Sequence, residues 1–413
     1  MSYNSSQVIK KGNDILDYIV LFLLLTASGF GYFKYVVSDQ VTIIIIFCAI
    51  VGIALIKKSF NIEKSFLVYL LVFLFMMLIN SVFFDIYRYE VYAGLIARLL
   101  IAYFSIYLIG DKFIEIFIKV MYYISLASLA VFVLISAHIL PYNMFQGIGF
   151  VVPMMFSEVV ESKSVLGLIR NSGPFWEPGA FGGFLVMALA LNIYMLNTGV
   201  TKKSNVIFLI AILSTFSTTA YLATAVVLAF FVFKKFGFNE VTILSSIVII
   251  SIASYIFVSS PFVWSKISDQ YEYFLDYKNG FNTPWNPQRF VSTYTDYMVF
   301  SDNPIFGVGL NNETRFDPKY YVENAISSNG WMNLLTRWGI TGFAIYFYYL
   351  YKSFGEMAYI YGVEKKVSIL LLLVVFILGS SEDYFYLPFF WALTIYSFLI
   401  RGDEVRNKNI ISI

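Results

Sequence analysis

Long apolar runs separated by short polar connections make up most of this chain. About 20 residues at a rise of 1.5 Å per residue span the hydrocarbon of a bilayer, and runs near that length recur along the chain. They predict twelve helical crossings, at residues 15–33, 41–56, 66–84, 91–110, 114–140, 179–197, 206–218, 220–233, 241–259, 332–350, 366–381 and 387–400. The pattern indicates an all-α polytopic membrane protein.

Lysines and arginines cluster in the connections on one side of these crossings, and such residues in short loops favour the cytoplasm. The positions are Lys10, Lys11, Lys57, Lys58, Lys64, Lys112, Lys202, Lys203, Lys234, Lys235, Lys365, Lys366, Arg401, Arg406 and Lys408. We therefore expect both termini to be cytoplasmic. The N-terminal stretch lacks a small-residue cleavage site, which favours a retained first helix over a signal peptide.

The segment 206–233 has lysine pairs on both flanks, so a single crossing would place one pair on the wrong side. Two short helices that turn at STFSTTA remove the conflict, and the hydroxyls of that stretch can satisfy backbone groups at the turn. Irregular backbone at membrane depth is tolerated only inside protein or beside water. We therefore expect a broken hairpin that borders a cavity, with one long tilted helix as the alternative.

Two long polar segments lie on the side opposite the lysines. Connections longer than about 12–15 residues are usually functional or disordered, and the aromatic residues of the second segment favour short packed helices. The predicted organisation is an N-terminal five-helix region at 1–140, a first long loop at 141–178, central helices at 179–259, a second long loop at 260–331, and C-terminal helices with a cytoplasmic tail at 332–413.

The composition agrees with a membrane protein. Of the 413 residues, 59% are hydrophobic and 13% are charged, whereas soluble domains carry about 25% charged residues. The net charge is +2, and no basic patch alternates with aromatic residues. Nucleic acid is therefore not an expected partner.

The sequence also gives no sign of a metal or cofactor. Cysteine and histidine occur once each, as Cys48 and His138, so neither a disulfide framework nor a Cys/His metal cluster is expected. Cys48 lies in an apolar run and is predicted to be buried in the packing. The GVGL stretch at 307–310 has no lysine after it and predicts a tight turn, not a nucleotide loop.

Candidate chemical residues collect near the ends of the crossings on the side of the two long loops. They are Arg170, Glu177, Arg289, Asp296, Asn329, Asn333, Arg337, Glu382 and Asp383, with Arg98 inside the fourth crossing. Arg289 and Asp296 lie seven residues apart on a predicted helix and share one face. Asn329, Asn333 and Arg337 are spaced by four residues at the start of the tenth crossing and also share one face. An arginine at the bilayer centre costs about 2.5–3.5 kcal/mol on insertion scales, so Arg98 is expected to face the bundle interior or a polar partner.

The arginines favour an anionic substrate held near the membrane surface. A guanidinium offers a planar set of donors that grips phosphate with two hydrogen bonds and keeps its charge. A lipid-linked pyrophosphate fits this chemistry, because its head stays at the surface while its tail stays in the bilayer. Ordinary snorkelling of interfacial arginines is the alternative interpretation.

Glu177 has two interpretations. Pro178 suits the first position of a helix, and a carboxylate beside a helix N-terminus is stabilised by the dipole and by free N–H groups. Alternatively, Glu177 is a general base that deprotonates an acceptor hydroxyl when a sugar attacks an activated anomeric carbon.

Five stretches, taken in order, carry a family resemblance. They are GPFWEPGAFGGF, STFSTTAYLA, NPQRF with its arginine, SDNPIFGVGLNN and SSNGWMNLLTRWGITGF. Together they resemble the O-antigen polymerase and O-antigen ligase superfamily, with the Wzy-type polysaccharide polymerases as the closer match. The resemblance covers about residues 165–350 and rests on the order and spacing of the stretches.

The resemblance implies a membrane glycosyltransferase of the GT-C type that uses neither a metal nor a nucleotide sugar. It would join undecaprenyl-pyrophosphate-linked repeat units at the periplasmic face of a bacterial inner membrane, with the growing chain as donor. By position, Arg170 and Arg289 match the two loop arginines proposed to hold the phosphates, and Glu177 matches the Glu-Pro signature of polymerases. The partners implied are lipid-linked glycans and membrane lipids, with a chain-length regulator left open.

The chain departs from the ligases at one position. Ligases usually carry a histidine before the asparagine of an HN motif, whereas Ser328 precedes Asn329 here. This disfavours a histidine-dependent ligase that transfers polymer to lipid A-core, and it leaves the base open. Glu177 ranks first, and Asp296, Glu382 and Asp383 are alternatives.

Two further points stay open at this stage. A polysaccharide or lipid transporter is the third functional class, although it predicts charges spread through the bundle from both sides. The product is O-antigen, capsule or exopolysaccharide.

Overall fold

The computed structural model describes residues 14–31, 39–57, 60–139, 157–162, 165–237, 239–241, 243–245, 247–248, 251, 255, 261–279, 289–320 and 327–400. Its helices are α1 (Asp14–Ala27), α2 (Asp39–Ile56), α3 (Lys64–Phe84), α4 (Tyr89–Ile109), α5 (Phe113–Ser136), α6 (Pro178–Tyr194), α7 (Lys203–Ser214), α8 (Thr218–Phe236), α9 (Pro261–Lys278), α10 (Arg289–Asp302), α11 (Asn312–Arg315), α12 (Gly330–Ile360), α13 (Lys366–Gly379) and α14 (Pro388–Leu399). Two strands, β1 (Ser157–Ser162) and β2 (Val165–Asn171), precede α6.

Contacts gather the starts of several apolar helices at one end of the bundle. The first residues of α6 and α12 lie against the turn before α14, and Arg98 of α4 contacts Tyr386 of that turn. We call the end at which α4, α6, α12 and α14 begin the upper end, and the opposite end the lower end. The lysines of the short connections lie at the lower end: Lys57, Lys64, Lys112, Lys202, Lys203, Lys234, Lys235, Lys365 and Lys366. The candidate residues lie towards the upper end.

Four described stretches are long and apolar enough to cross a membrane: Asp39–Ile56, Lys64–Phe84, Tyr89–Ser136 and Thr218–Phe236. Shorter apolar helices accompany them at Ile15–Ala27, Pro178–Tyr194, Lys203–Ser214, Lys366–Gly379 and Pro388–Leu399. These helices are those of an integral membrane protein. Every predicted crossing coincides with a helix except 241–259, most of which lies outside the described residues. The number of crossings and their orientation stay predictions.

Aromatic rings fill the core where α3, α12 and α14 meet. The ring of Trp391 lies 5.0 Å from those of Phe73 and Tyr346, each at a steep angle. Trp338 makes a similar contact with Phe73 at 5.0 Å. Edge-to-face contacts of this kind add to the stabilisation that burial gives. They fix α14, and therefore the turn before it, against the rest of the bundle.

The chain breaks between α7 and α8, inside the stretch for which a turn is predicted. Phe216 has a positive φ of 48°, which α-helical residues do not adopt. Ser217 then caps α8, because its hydroxyl accepts a hydrogen bond from the N–H of Ala220. A Cβ added at Gly182 of α6 would lie 2.8 Å from the Cβ of Ala220. The glycine therefore lets α6 pack closely against this turn.

The first long loop contains a β-hairpin, which an all-α fold does not include. β1 and β2 pair in antiparallel register, with Glu158 opposite Arg170 and Val160 opposite Leu168. Each strand has at most seven residues. So short a segment gives a much weaker sequence signal than the apolar runs of about 20 residues that predict the helices. The strands are a local addition to the predicted helical fold, and Arg170 lies in the second of them.

Cys48 is exposed on α2, so the prediction that it is buried in the packing is wrong. Ile43, Ile46 and Ile50 of the same helix are buried. Lipid tails are as apolar as a protein interior, so an apolar run does not reveal which face of a membrane helix contacts protein.

α12 is broken at Gly339, whose φ of 61° is not helical. The segment 304–309 fills the break and supplies hydrogen-bond partners to the helix. The N–H of Ile340 donates to the first carbonyl of that segment at 2.8 Å, and the N–H of Gly309 donates to the carbonyl of Arg337 at 2.9 Å. The predicted tight turn at GVGL is therefore part of a contact between the second long loop and α12.

Candidate active site

Glu177 stands immediately before α6. Its backbone is extended, with φ of −160°, and Pro178 occupies the first turn of the helix. The carboxylate makes no capping hydrogen bond to α6, so the helix-cap interpretation lacks its main contact. The side chain keeps 34% of its surface exposed, and this carboxylate is accessible to a substrate.

Arg289 brings two carboxylates together at the upper end. Its Nη2 atom lies 3.0 Å from Oε1 of Glu382 and donates a hydrogen bond to it. The same Nη2 atom lies 3.9 Å from Oε1 of Glu177. The side chain of Glu382 is only 6% exposed. Arg289 therefore has one tight, buried partner and one looser, accessible partner. We call Glu177, Arg289 and Glu382 the carboxylate–arginine group.

Two glycines of α6 allow the turn between α13 and α14 to approach this group. A Cβ at Gly179 would lie 2.6 Å from Oε1 of Glu382, and a Cβ at Gly183 would lie 2.0 Å from the hydroxyl of Tyr384. The Tyr384 hydroxyl donates to the carbonyl of Gly179 at 3.0 Å. The first turn of α6 is thus shaped to receive Glu382 and Tyr384.

The electrostatics of the group keep Arg289 charged. Burial alone would lower the pKa of its guanidinium, but Glu382 and Glu177 outweigh burial and hold that pKa above its ordinary value. Burial, assisted by the same two carboxylates, raises the pKa of Tyr384 well above its ordinary value. Tyr384 therefore stays a hydrogen-bond donor at physiological pH, and two carboxylates share one permanent positive charge.

A second polar group lies on the next residues of the same turn. Asp383 Oδ2 accepts a hydrogen bond from Nδ2 of Asn333 and one from Nη2 of Arg337 at 3.1 Å. Asn333 and Arg337 are four residues apart on α12, and that spacing places them on one helix face. The two residues on this face therefore share one carboxylate partner.

Tyr386 joins this second group to α4. The guanidinium carbons of Arg98 and Arg337 lie 4.4 Å and 4.6 Å from the centroid of its ring. Arg98 also donates to the Tyr386 hydroxyl at 3.2 Å and forms an ion pair with Asp39 at the start of α2. Arg98 is 9% exposed and has polar partners in Tyr386 and the exposed Asp39, as its position predicts.

Asp296 lies apart from these contacts, in a buried group on α10. It is fully buried, accepts a hydrogen bond from Ser327, and has Arg315 at 3.9 Å. Its backbone carbonyl accepts from the hydroxyl of Thr336 at 3.0 Å. These contacts hold α10 against α12, and they favour a positioning role for Asp296. Of the predicted residues, Asn329 is likewise engaged in structure, since its side chain caps α12.

Arg170 bonds to backbone at the α7–α8 turn. Its Nε atom donates to the carbonyl of Thr215 at 3.2 Å, and Nη2 donates to that of Phe216 at 3.4 Å. Cationic side chains stabilise the C-terminal end of a helix in this way. The contact ties β2 to the end of α7, whereas a phosphate contact for Arg170 stays a prediction.

Several site residues escape the sequence analysis. Asp39, Arg315, Ser327, Tyr384 and Tyr386 all contact predicted residues, yet none is predicted. The two tyrosines follow Glu382 and Asp383 directly in the stretch EDYFY, so their proximity to a polar turn is a signal that could identify them. The partners from distant helices carry no such signal.

Among the described residues, no three histidine, cysteine, aspartate or glutamate side chains are grouped so that they could hold a metal ion. The carboxylate–arginine group contains two carboxylates and an arginine, and the buried hydroxyl of Tyr384 lies beside it. Such an arrangement can accept a proton and can bind an anion in the same place.

Residues 204–347 match the Wzy_C family, described as O-antigen ligase. This part of the chain, from α7 to the first half of α12, is similar to the domain that defines that family. No curated protein matches the chain. The matched segment contains Arg289, Asn333 and Arg337, whereas Glu177 and Glu382 lie outside it. Folding brings these two carboxylates to the matched domain.

Proposed function

We propose that this protein is a glycosyltransferase that polymerises undecaprenyl-pyrophosphate-linked oligosaccharide repeat units into a surface polysaccharide. The growing lipid-linked chain is the donor, and a single lipid-linked unit is the acceptor. The observation that supports this best is the position of Arg289 between Glu382 and Glu177. A carboxylate that can act as a base and a cation that can bind phosphate then lie together at the upper end of the bundle.

Glu177 is the general base of this proposal. Arg289 lies closer to Glu382 than to Glu177, at 3.0 Å against 3.9 Å, so Glu177 is the more loosely held carboxylate of the two. Glu177 is the more exposed of the two carboxylates, so the acceptor hydroxyl can reach it. The hydroxyl oxygen attacks the anomeric carbon of the donor while its proton passes to Glu177.

Arg289 stabilises the leaving group in this proposal. The bond between the anomeric carbon and the pyrophosphate oxygen breaks, and negative charge builds on the departing pyrophosphate. A guanidinium can bind two phosphate oxygens and stabilise this charge. As Glu177 takes up the proton, its attraction for Arg289 weakens and the guanidinium becomes available to the pyrophosphate. Glu382 keeps hold of the other side of Arg289 throughout.

The bundle suits a substrate with an isoprenoid tail. The protein is rich in apolar helices long enough to cross a membrane, and the lysines at the lower end favour a cytoplasmic location for that end under the positive-inside rule. The upper end then faces the periplasm of a bacterial inner membrane. The pyrophosphate and sugars lie at this face, and the tail stays in the bilayer.

A ligase is the second candidate, because the matched family is described as O-antigen ligase. The donor chemistry is the same, and the acceptor is then lipid A-core in place of a second lipid-linked unit. Ser328 stands before Asn329 where ligases usually have a histidine. That position favours the polymerase.

Purified protein incubated with its lipid-linked repeat unit and EDTA tests the proposal, with the products separated on a gel. A ladder of lengthening lipid-linked chains supports a polymerase that needs no metal. Transfer only after lipid A-core is supplied supports the ligase. Single units that stay unchanged with either acceptor refute both enzymes.

A further inference from the structure

We infer that Asn333, Arg337 and Asp383 form a binding subsite for the sugar of the acceptor, separate from the pyrophosphate site at Arg289. The inference rests on the proposed function, and it states which part of the substrate the second polar group binds. Asp383 follows Glu382 directly in the chain, so the second group is adjacent to the carboxylate–arginine group.

Two buried side-chain atoms of the second polar group make no hydrogen bond within the protein. Among the described residues, Oδ1 of Asn333 and Nε of Arg337 are buried and have no hydrogen-bond partner. Asn333 as a whole is 1% exposed. A buried polar atom without a partner costs about 1–3 kcal/mol, and such atoms call for a water or ligand to satisfy them. One of these atoms is an acceptor and the other a donor, and their residues share one face of α12.

The kind of ligand follows from that pair. Oδ1 of Asn333 can only accept a hydrogen bond, and Nε–H of Arg337 can only donate one. A sugar hydroxyl does both, because its O–H donates while its oxygen accepts. A fully ionised phosphate has no proton to give to Oδ1. The pattern of free atoms therefore favours a polyol over an anion.

The charges around these atoms agree. Arg337 is paired with Asp383 at 3.1 Å, and Arg98 is paired with Asp39. Both arginines beside Tyr386 thus have a negatively charged partner. Little net positive charge is left to attract a doubly charged pyrophosphate. The binding of a neutral ligand does not depend on a net positive charge. Tyr386 adds an aromatic surface beside the two arginines, of the amphipathic kind that ligand pockets often contain.

Kinetics with two distinct substrates test the inference. A preformed lipid-linked trimer serves as donor at fixed concentration, and a fluorescent single unit serves as acceptor at varied concentration. Sugar-free undecaprenyl pyrophosphate serves as an inhibitor that reports the phosphate site alone. For Asn333→Ala, we expect the acceptor KM to rise about tenfold, as the loss of one hydrogen bond to a buried group predicts, with inhibition by the sugar-free lipid unchanged.

Arg289→Gln is the opposite variant, and we expect it to weaken that inhibition. Asn61→Ala is the matched control, because Asn61 is exposed at the lower end and is expected to change neither value. Unchanged inhibition also shows that the Asn333→Ala protein is folded. An unchanged acceptor KM, or weaker inhibition by the sugar-free lipid in Asn333→Ala, overturns the inference.

Direct binding separates this inference from the proposed function. Binding of the single unit and of sugar-free undecaprenyl pyrophosphate is compared in lipid nanodiscs, with no turnover required. Wild-type protein is expected to bind the unit more tightly, and Asn333→Ala is expected to lose that advantage. If wild-type protein binds in this way but extends no chain, the polymerase proposal fails while the sugar subsite stands. Equal affinities in wild type and variant overturn the subsite.

Discussion

The guanidinium of Arg289 donates to the carboxylate of Glu382 across 3.0 Å, although 93 residues separate them in the chain. Arg289 begins α10, and Glu382 lies in the turn before α14. Glu382 is buried and holds one side of Arg289, which leaves the other side to the exposed Glu177. Under the proposed function, this asymmetry assigns positioning to Glu382 and proton transfer to Glu177. It leads to three predictions, and a fourth follows from the contacts of Arg170.

Glu177→Gln is expected to reduce chain extension by a factor of about 10²–10⁴, the range for loss of a general base. The amide keeps the shape of the side chain but cannot take up the proton. The measurement is the initial rate of polymer formation at equal protein concentration. Full-length polymer at a normal rate would show that Glu177 is not the base.

Glu364→Gln is the control for this substitution. Glu364 is exposed at the lower end, 4.0 Å from Lys366, and α13 separates it from Glu382. We expect its removal to leave the rate unchanged. A similar loss in both variants would indicate a general effect on expression or folding.

Arg289→Lys is expected to lower the rate by about 10²–10³, close to the loss of a group that stabilises developing negative charge. Lysine keeps the positive charge but cannot offer the planar pair of donors to a phosphate. The rate is compared with that of Arg88→Lys, which alters an arginine that is half exposed. Equal rates for Arg289→Lys and wild type would exclude a bidentate role.

Gly179→Ala is expected to slow catalysis by at least about tenfold, because small displacements of catalytic groups are costly. The added Cβ would lie 2.6 Å from Oε1 of Glu382 and 3.5 Å from Oε1 of Glu177. Gly52→Ala is the matched control, since nothing lies within 4 Å of a Cβ at that position. If the two alanine variants turn over equally fast, the close fit of α6 against Glu382 does not matter for the reaction.

Arg170→Ala is expected to lower the thermal unfolding midpoint, because two carbonyls of the α7–α8 turn lose their donor. An unsatisfied buried carbonyl costs about 1–3 kcal/mol. Tryptophan fluorescence during heating measures the midpoint, and Arg170→Lys is expected to recover part of it. If the midpoint stays constant while inhibition by sugar-free undecaprenyl pyrophosphate weakens, Arg170 contacts the substrate phosphate instead.

Local patterns were sufficient for the parts of the site that lie within one helix. The lysine pairs around 206–233 predict a break, and the chain does break at Phe216. The four-residue spacing of Asn333 and Arg337 predicts a shared face, and Asp383 contacts both. These features depend on helix geometry and on the cost of charge in lipid, which sequence carries directly.

Contacts between distant segments could not be predicted in the same way. Glu382 and Arg289 meet because Gly179 and Gly183 leave room for the α13–α14 turn, and nothing near either charged residue specifies that partner. The β-hairpin was missed because its strands are short, and Cys48 was misplaced because lipid and protein interior are equally apolar. Such features depend on how the helices pack.

The break in α12 carries a consequence for how this chain can change over evolution. A Cβ at Gly339 would lie 2.3 Å from the carbonyl oxygen of Ile305, and a Cβ at Gly307 would lie 2.5 Å from the carbonyl carbon of Arg337. The two backbones therefore fit only while both glycines remain. Neither can be replaced alone, because each break in α12 or shift of the inserted segment would leave buried backbone groups without their partners. Related chains are expected to keep the two glycines together or to lose them together, along with the inserted segment.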